Sequence, residues 1–307
     1  MCFNSIFETI RKNAVKDYEV IYVDSNSSDG SVETALHFPE VSIFRITDIY
    51  NAAIARNIGF KESSGDVLFF IDGDMEIKPE FLKEVLDENG NLKYDFVSGQ
   101  FVNHYYDYEG NFLHAEVYNE NSRADRTETT TGGIFLIKRK HWELVKGMKN
   151  KYRRSQDLDL GLRLARKGIY LLRKKEIIAI HHTISYKDKK RMWKMLFNGS
   201  AFYGRSVLYR DHIFNPHIYS TILRSDYTLL FLAVSCIAAC WNILFALPYF
   251  FVISARVALQ ADFSLSSFFS RVSYYFLRDL TALVSVFFFF PPQNNNFSYT
   301  QVKRISK

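Results

Sequence analysis

Apolar positions follow two spacings along the first two-thirds of the chain. Short apolar runs bounded by glycine or polar turn residues predict buried strands, whereas apolar positions three and four residues apart predict helices. Uninterrupted apolar runs suit the centre of a parallel sheet, so the pattern indicates an α/β fold. Strands are predicted at 18–23, 67–70, 96–102, 131–137 and 177–180, and helices from about Ser5, at 51–60 and at 155–168.

A different pattern occupies the last third of the chain. No charged residue occurs from Tyr227 to Ala255. Because an apolar helix of about 20 residues can span a bilayer, we predict a span at about 227–250, with a buried core helix as the alternative. A second apolar segment at about 273–290 is interrupted by Arg278 and Asp279. It is either a second span or an amphipathic helix in the membrane interface.

Charge and cysteine content agree with attachment to a membrane from the cytosolic side. The chain has 307 residues and a formal net charge of +6, and a basic cluster at 187–194 lies shortly before the apolar stretch. Basic residues beside a span mark its cytoplasmic side, and without a nucleic-acid motif they do not indicate nucleic-acid binding. Residues 1–16 contain no recognisable signal peptide, and Cys2, Cys236 and Cys240 form no disulfide framework.

Two carboxylates follow the strand predicted at 67–70. Asp72 and Asp74 flank Gly73, which lets the backbone bend so that one or both can bind a hard divalent cation. A solvated turn between a strand and a helix is the alternative. His181 and His182 follow a later strand, and because adjacent strand residues face opposite ways, only one of them is expected to reach the metal.

A polar turn at residues 24–31 follows the first predicted strand. It contains Asp24 and Asn26, and its hydroxyl and amide groups are available to a nucleotide. Arg56, in the helix predicted at 51–60, adds a cation for an anionic ligand. These segments therefore indicate a site for a nucleotide or another anionic ligand.

Two later segments carry further candidate residues. Gly132 and Gly133 allow the backbone to approach a ligand closely. Asp157 lies in the first turn of the helix predicted at 155–168, where a carboxylate also suits the helix dipole. Asp159 is spaced to pair with Arg163 on the same helix face, so a structural role is expected for it.

In combination these segments resemble the inverting glycosyltransferases of family 2, which have the GT-A fold. The resemblance rests on residues 23–31, 55–59, 70–74, 132–133 and 156–163. It implies an α/β GT-A nucleotide-sugar-binding domain at 1–206, with a Rossmann-like mixed sheet flanked by helices. A hydrophobic helical membrane region is then expected at 207–307. The usual opening strand, which ends in a Pro-x-Tyr-Asn-like turn, is not recognisable before Ser5, so we expect that the first strand is missing or that the start is wrongly placed.

The resemblance also implies roles for individual residues. Asp157 matches the general base that takes the proton from the acceptor hydroxyl, although Gln156 replaces the glutamate that usually precedes it. Asp24 and Asn26 are expected at the base or ribose of a nucleotide sugar, and Arg56 at the nucleotide or diphosphate.

The metal site is likewise implied by the resemblance. Asp74, Asp72 and His181 are expected to hold Mg2+ or Mn2+ on the diphosphate. Asp72 and Gly133 are expected to line the nucleotide-sugar site as well. The expected reaction is a metal-dependent, inverting transfer from a nucleotide sugar, by default a UDP-sugar, to a lipid-linked or cell-surface glycan acceptor. The catalytic domain is then expected at a membrane, facing the cytosol.

Two other functional classes stay open. The first is a non-catalytic, membrane-bound glycosyltransferase relative that acts as a scaffold. The second is a haloacid-dehalogenase-like phosphatase, but Glu76 stands where such enzymes have threonine or valine. The Gln-x-x-Arg-Trp signature of processive synthases of the family is absent from the sequence, which disfavours long-chain polymer synthesis.

Overall fold

The computed structural model describes residues 1–118, 124–184, 189–199, 202–259 and 265–305. The chain forms two compact units, one of Met1–Asp188 with Pro292–Lys307 and one of Lys189–Pro291. The predicted boundary at 206/207 is therefore wrong. Ser206 donates a hydrogen bond at 3.0 Å to the carbonyl oxygen of Ala282, which places this stretch with the C-terminal helices. The chain end returns to the first unit as a strand.

The strands of the first unit form two sheets. The strands are Val20–Asp24 (β1), Val41–Ile46 (β2), Val67–Ile71 (β3), Met75–Ile77 (β4), Phe96–Tyr106 (β5), Phe112–Val117 (β6), Arg126–Glu128 (β7), Ile134–Lys138 (β8), Leu171–Ile184 (β9) and Tyr299–Lys303 (β10). In the three-stranded sheet β1 runs parallel to β2, which pairs antiparallel with β10. In the larger sheet the order is β3-β8-β5-β9-β4, with β6 on β5 and β7 on β9, and β5 and β9 are parallel.

The predicted mixed sheet is thus divided. Within the described ranges β1 pairs only with β2, and β3 pairs only with β8. The two sheets are connected by the helix Ala52–Glu62, whose first turn is capped by the Asn51 side chain, which accepts a hydrogen bond from the Ile54 amide at 2.9 Å. The helices of this unit are Cys2–Lys12 (α1), Ser31–Leu36 (α2), Ala52–Glu62 (α3), Glu80–Val85 (α4), Arg139–Leu144 (α5) and Gln156–Ala165 (α6).

Two predictions for the first unit need correction. Residues 103–129, for which no strand is predicted from the sequence, contain the end of β5 together with β6 and β7. All but the last residue of β6 is exposed, so its sequence shows no alternation of buried and exposed positions. The strand predicted at 177–180 is the middle of the longer β9, and His181 and His182 lie inside that strand instead of after it.

Helix α6 is held by an apolar core beneath its inner face. Leu160 and Leu164 are buried, and they belong to the cluster that includes Phe135 of β8 and Trp142 of α5. Asp159, Gly161 and Leu162 are buried as well, so α6 is enclosed on more than one side. This packing fixes which side of α6 meets the sheet, and it therefore fixes the direction of its first turn.

The second unit is helical. Beside a π-helical stretch at Tyr203–Val207 and a 3₁₀ turn at Ile243–Ala246, its helices are Lys189–Phe197 (α7), Leu208–Asp211 (α8), His217–Ser225 (α9), Tyr227–Ala239 (α10), Leu247–Ala258 (α11) and Leu265–Phe288 (α12). In the described ranges no single helix has both the length and the apolar character needed to cross a membrane. The pair His217–Ser225 and Tyr227–Ala239 meets that test together but is bent by 84°.

The continuous helix predicted at about 227–250 is wrong. The Asn242 side chain accepts a hydrogen bond from the Leu244 amide at 2.9 Å and so starts a new turn. Pro248 then lies in the first turn of α11, where its missing N–H is not needed. Whether these helices enter a membrane stays a prediction.

The segment predicted at about 273–290 is one helix that begins earlier, at Leu265. Its interrupting charges are buried and paired. The Arg278 guanidinium lies 2.9 Å from Asp279 and donates to the Thr228 hydroxyl at 3.3 Å. Because opposite charges neutralise each other, they do not break the packing of α12 against Leu232 and Ile253.

Candidate active site

The polar turn at residues 24–31 is folded back onto its own strand. Asp24 is 1% exposed, and its carboxylate accepts from the Ser27 amide and the Tyr22 hydroxyl, each at 3.1 Å. Arg45 lies 3.4 Å away. Asn26 has φ +59°, in the left-handed region that turn residues adopt. Burial, with the Asp24 charge adding, raises the pKa of Tyr22 to about 12. Contact between Asp24 or Asn26 and a nucleotide stays a prediction.

The first carboxylate of the acidic turn is paired within the protein. Asp72 lies 2.5 Å from Arg56 of α3, which is buried. The Asp72 amide donates to the Gly133 carbonyl at 3.0 Å. A Cβ atom at Gly133 would lie 2.3 Å from the Asp72 carboxylate, closer than real Cβ atoms come to another atom. A side chain at position 133 would therefore displace the Asp72 carboxylate from its place beside Arg56. Arg56, predicted at the nucleotide, is engaged by the same carboxylate.

The electrostatics around Asp72 show an excess of negative charge. Burial raises the pKa of its carboxyl group, the Arg56 charge opposes that shift, and the charges of Asp74 and Asp157 raise it further. Asp74 and Asp157 therefore both lie close enough to Asp72 to influence its carboxyl group. A cation bound beside these carboxylates would lower the repulsion between their negative charges.

The second carboxylate lies beside one of the two histidines. Strand β4 pairs with β9, and the His181 ring nitrogen Nε2 is 3.4 Å from the Asp74 carboxylate. The other ring nitrogen, Nδ1, is 2.8 Å from the Asn103 side-chain oxygen, which accepts its proton and so orients the ring. His182 faces the other way, with Nε2 3.2 Å from Glu76. Of the two histidines, His181 is the one whose side chain lies beside Asp74; that it reaches a metal stays a prediction.

These residues fit a hard cation in part. Within the ranges that the structure describes, no group of three or more His, Cys, Asp or Glu side chains is arranged to hold a metal ion. Asp74 and His181 converge, whereas one oxygen of Asp72 is engaged by Arg56. A free carboxylate such as that of Asp74 can suffice for Mg2+, which binds one or two carboxylates and takes waters and phosphate oxygens as its remaining ligands.

Asp157 lies in the first turn of α6, as predicted. Its carboxylate accepts a hydrogen bond from the Thr130 hydroxyl at 2.8 Å. Asp159 points into the protein, is fully buried and pairs with Arg163 at 2.8 Å, so its predicted structural role is confirmed. The two carboxylates of α6 thus have different surroundings, although they are only two residues apart.

Sequence reasoning missed three side chains of this site. Asn103 orients His181, Thr130 contacts Asp157, and the Cys2 thiol lies 3.9 Å from the Asp72 carbonyl oxygen. None stands in a recognisable motif, because each reaches the site from another strand or helix. The run of threonines at 129–131 was the only available signal.

Comparisons with known proteins agree with this architecture. Residues 2–154, about half of the chain, match the model of the family described as glycosyl transferase family 2. An uncharacterised glycosyltransferase of Haemophilus influenzae is 33% identical over 94 residues, and glycosyltransferase AglE of Haloferax volcanii is 30% identical over 102 residues. These alignments cover 29% and 32% of this chain, and 32% and 33% of the relatives. The chain thus spans about a third of the length of the curated relatives that it matches.

A solved structure extends the likeness to most of the chain. The mannosyltransferase PcManGT of Pyrobaculum calidifontis, in complex with GDP-Man and Mn2+, has a TM-score of 0.53 over 91% of this chain and 83% of that one, at 16% identity. At this identity the likeness concerns the fold alone. It confirms the predicted mixed α/β fold of the GT-A type.

Proposed function

We propose, since the chain belongs to glycosyl transferase family 2, that it transfers a sugar from a nucleotide sugar to an acceptor hydroxyl with inversion. The observation that carries this proposal is that Asp74 and Asp157 both lie close enough to Asp72 to influence its carboxyl group, with His181 3.4 Å from Asp74. Two of these carboxylates end a strand and one begins a helix. Such a cluster suits a site that holds a cation and a base side by side.

The proposed reaction is a single displacement. The acceptor oxygen forms a bond to the anomeric carbon while the bond from that carbon to the diphosphate oxygen breaks. Asp157 takes the acceptor proton, and the nucleoside diphosphate leaves with the bonding electron pair. When bound, Mg2+ or Mn2+ at Asp74, Asp72 and His181 would neutralise charge on the leaving group. Asn103 keeps His181 in the orientation that such binding needs.

We further propose that the acceptor is a lipid-linked or cell-surface glycan reached at a membrane, with the catalytic unit in the cytosol. Lys189–Pro291 contains ten of the 39 Lys and Arg residues and four of the 33 Asp and Glu residues, so this unit carries the whole net charge of +6. Between α10 and α11, Trp241 and Ile243 are 79% and 74% exposed. Exposed apolar side chains on a basic unit suit an anionic membrane surface.

Nucleotide binding with and without a cation tests the donor site. We expect UDP or GDP to bind tightly only with Mn2+, since a diphosphate beside uncompensated carboxylates is repelled. Isothermal titration calorimetry with both nucleotides, with Mn2+ or with a chelator, measures this difference. Asp74→Asn should reduce the cation dependence, whereas Asp17→Asn, at an exposed aspartate before β1, should not. Equal affinity of the preferred nucleotide in both conditions would refute the metal role.

Measurement of the turnover rate tests whether Asp157 is the general base. Asp157→Asn should lower kcat by about 10² to 10⁴-fold and leave donor affinity unchanged, because a general base acts only in the chemical step. The assay is release of nucleoside diphosphate from UDP-glucose, UDP-N-acetylglucosamine or GDP-mannose with a membrane lipid extract as acceptor. Asp17→Asn again serves as the control. Wild-type turnover of Asp157→Asn would mean that another group is the base.

Fractionation tests the membrane proposal. The full-length protein should sediment with membranes and resist extraction by high salt and by carbonate, which remove proteins held by charge alone. Recovery in the soluble fraction would refute it without affecting the donor-site proposal.

A further inference from the structure

The segment that precedes β8 is clamped by a buried arginine. Arg173 of β9 is 1% exposed, and its NH2 group donates to the carbonyl oxygens of Thr130 at 3.1 Å and Thr131 at 3.3 Å. Its NH1 group donates to the Gly99 carbonyl oxygen at 2.8 Å, and its Nε to the Glu128 carboxylate at 2.6 Å. One guanidinium thus ties residues 128–131 to the centre of the larger sheet.

This clamp depends on the shape of the guanidinium. Arginine presents five N–H donors in a rigid plane, so it can serve one carboxylate and three carbonyl oxygens at once. The rings of Phe101 and Tyr118 lie 5.9 and 5.2 Å from it. Glu128 balances its charge, which makes burial possible. Lysine would keep the charge but could not reproduce this set of directed hydrogen bonds.

The other side of the same segment lies against helix α6. A Cβ atom at Gly161 would lie 1.9 Å from the Thr129 carbonyl oxygen, so the helix approaches this backbone as only glycine allows. One turn earlier on α6, Asp157 accepts the Thr130 hydroxyl bond at 2.8 Å. Residues 129–131 therefore lie between a fixed guanidinium and the helix that carries the proposed base.

We infer that residues 129–131 position the base: Thr130 orients the Asp157 carboxylate through its hydroxyl, and Arg173 holds the Thr130 backbone in place. This inference rests on the proposed function, because it gives Asp157 the role of the base. Thr130 and Arg173 are positioning residues that act through Asp157. A hydroxyl that donates to one carboxylate oxygen leaves the other oxygen to accept the acceptor proton.

Substitutions at Thr130 separate hydrogen bonding from packing. Thr130→Val keeps the shape and removes the donor, so kcat should fall about 10- to 100-fold, the loss expected when a reacting group is misplaced by about 1 Å. The KM for the donor and the affinity for UDP or GDP by calorimetry should not change. Thr130→Ser restores the hydroxyl and should recover turnover to within about threefold. Thr127→Val, the same change at an exposed threonine of β7, is the control.

Arg173→Lys tests the clamp. It should lower kcat without raising the donor KM, and hydrogen exchange should speed up at the amides of 129–133 and in the first turn of α6. A merely structural role would instead change stability throughout the first unit and leave kcat of the folded fraction unchanged. If Arg173→Lys fails to fold, the Thr130 series still decides the inference.

The outcomes distinguish this inference from the proposed function. If Asp157→Asn is inactive but Thr130→Val turns over like Thr127→Val, the inference alone is wrong. Equal losses in Thr130→Val and Thr130→Ser would also overturn it, since the hydroxyl would then not be the cause. Wild-type turnover of Asp157→Asn would refute both. Loss in Thr130→Val with rescue in Thr130→Ser supports the inference.

Discussion

Replacing Gly161 by alanine tests the close contact between α6 and residues 129–131. The added Cβ would lie 1.9 Å from the Thr129 carbonyl oxygen and 2.6 Å from its carbonyl carbon. Real Cβ contacts under 3.0 Å essentially do not occur, so the helix and the segment must separate by about 1 Å. The atoms that the new Cβ would meet belong to the Thr129 backbone. Arg173 donates a hydrogen bond to the neighbouring Thr130 carbonyl oxygen, so this backbone cannot rotate away as a flexible side chain would.

The expected effects follow from this displacement. Overpacking typically costs about 1–3 kcal/mol, and alanine in a helix interior returns about 0.5–1 kcal/mol relative to glycine. The net loss of unfolding free energy in Gly161→Ala should therefore be on the order of 1 kcal/mol. Because a displacement of about 1 Å at a reacting group can cost about 10²-fold in rate, kcat should fall by a comparable factor with donor affinity unchanged.

A second helical glycine provides the matched control. At Gly59 of α3 the nearest atom to an added Cβ is a Val23 methyl carbon at 3.9 Å, an ordinary contact. Gly59→Ala should therefore stabilise the protein by about 0.4–1 kcal/mol. Urea unfolding followed by tryptophan fluorescence, together with the nucleoside diphosphate release assay, measures both variants. The reasoning is refuted if Gly161→Ala is as stable and as active as Gly59→Ala.

Three further predictions concern single side chains. Burial, together with the charges of the nearby acidic turn, raises the pKa of the Cys2 thiol to about 11 from an ordinary 9.0. At pH 8 iodoacetamide should therefore alkylate Cys2 about 100-fold more slowly than in the unfolded chain. Equal rates, measured with the other cysteines replaced by serine, would contradict this. Asp159→Ala leaves Arg163 without its 2.8 Å partner and should cost about 3 kcal/mol in urea unfolding, and a loss under 0.5 kcal/mol would show that the pair contributes little. Tyr299→Phe removes the 2.5 Å hydrogen bond from β10 to Glu62 and should cost about 1–2 kcal/mol, whereas an unchanged urea midpoint would show that this bond does not hold the C-terminal strand.

Local features of the site were predictable from the sequence. The helix at 51–60, the strand before Asp72 and the helix that begins near Asp157 are all present, because apolar spacing and capping residues act over a few neighbours. The pairing of Asp159 with Arg163 follows from one helical turn. These predictions depend on spacing alone, so no knowledge of the rest of the fold was needed.

Features that join distant segments were not predictable. The engagement of Asp72 by Arg56 depends on how α3 lies beside β3, and the hydrogen bond from Thr130 to Asp157 depends on residues 27 positions apart. The helix break near Asn242 was not predictable, because the composition of a segment shows that it is apolar but not where its helix bends.

The sequence by itself determined the kind of fold, the family resemblance and the residue types at the candidate site. Tertiary structure alone decided that the sheet is divided, that the chain end returns as β10, and that Arg173 and Gly161 hold residues 129–131 from opposite sides. The physical reason is the range of the interactions. The spacing of apolar residues and the capping of helices act within a helical turn. A buried guanidinium or a close backbone contact forms its interactions only when separate strands and helices are packed together.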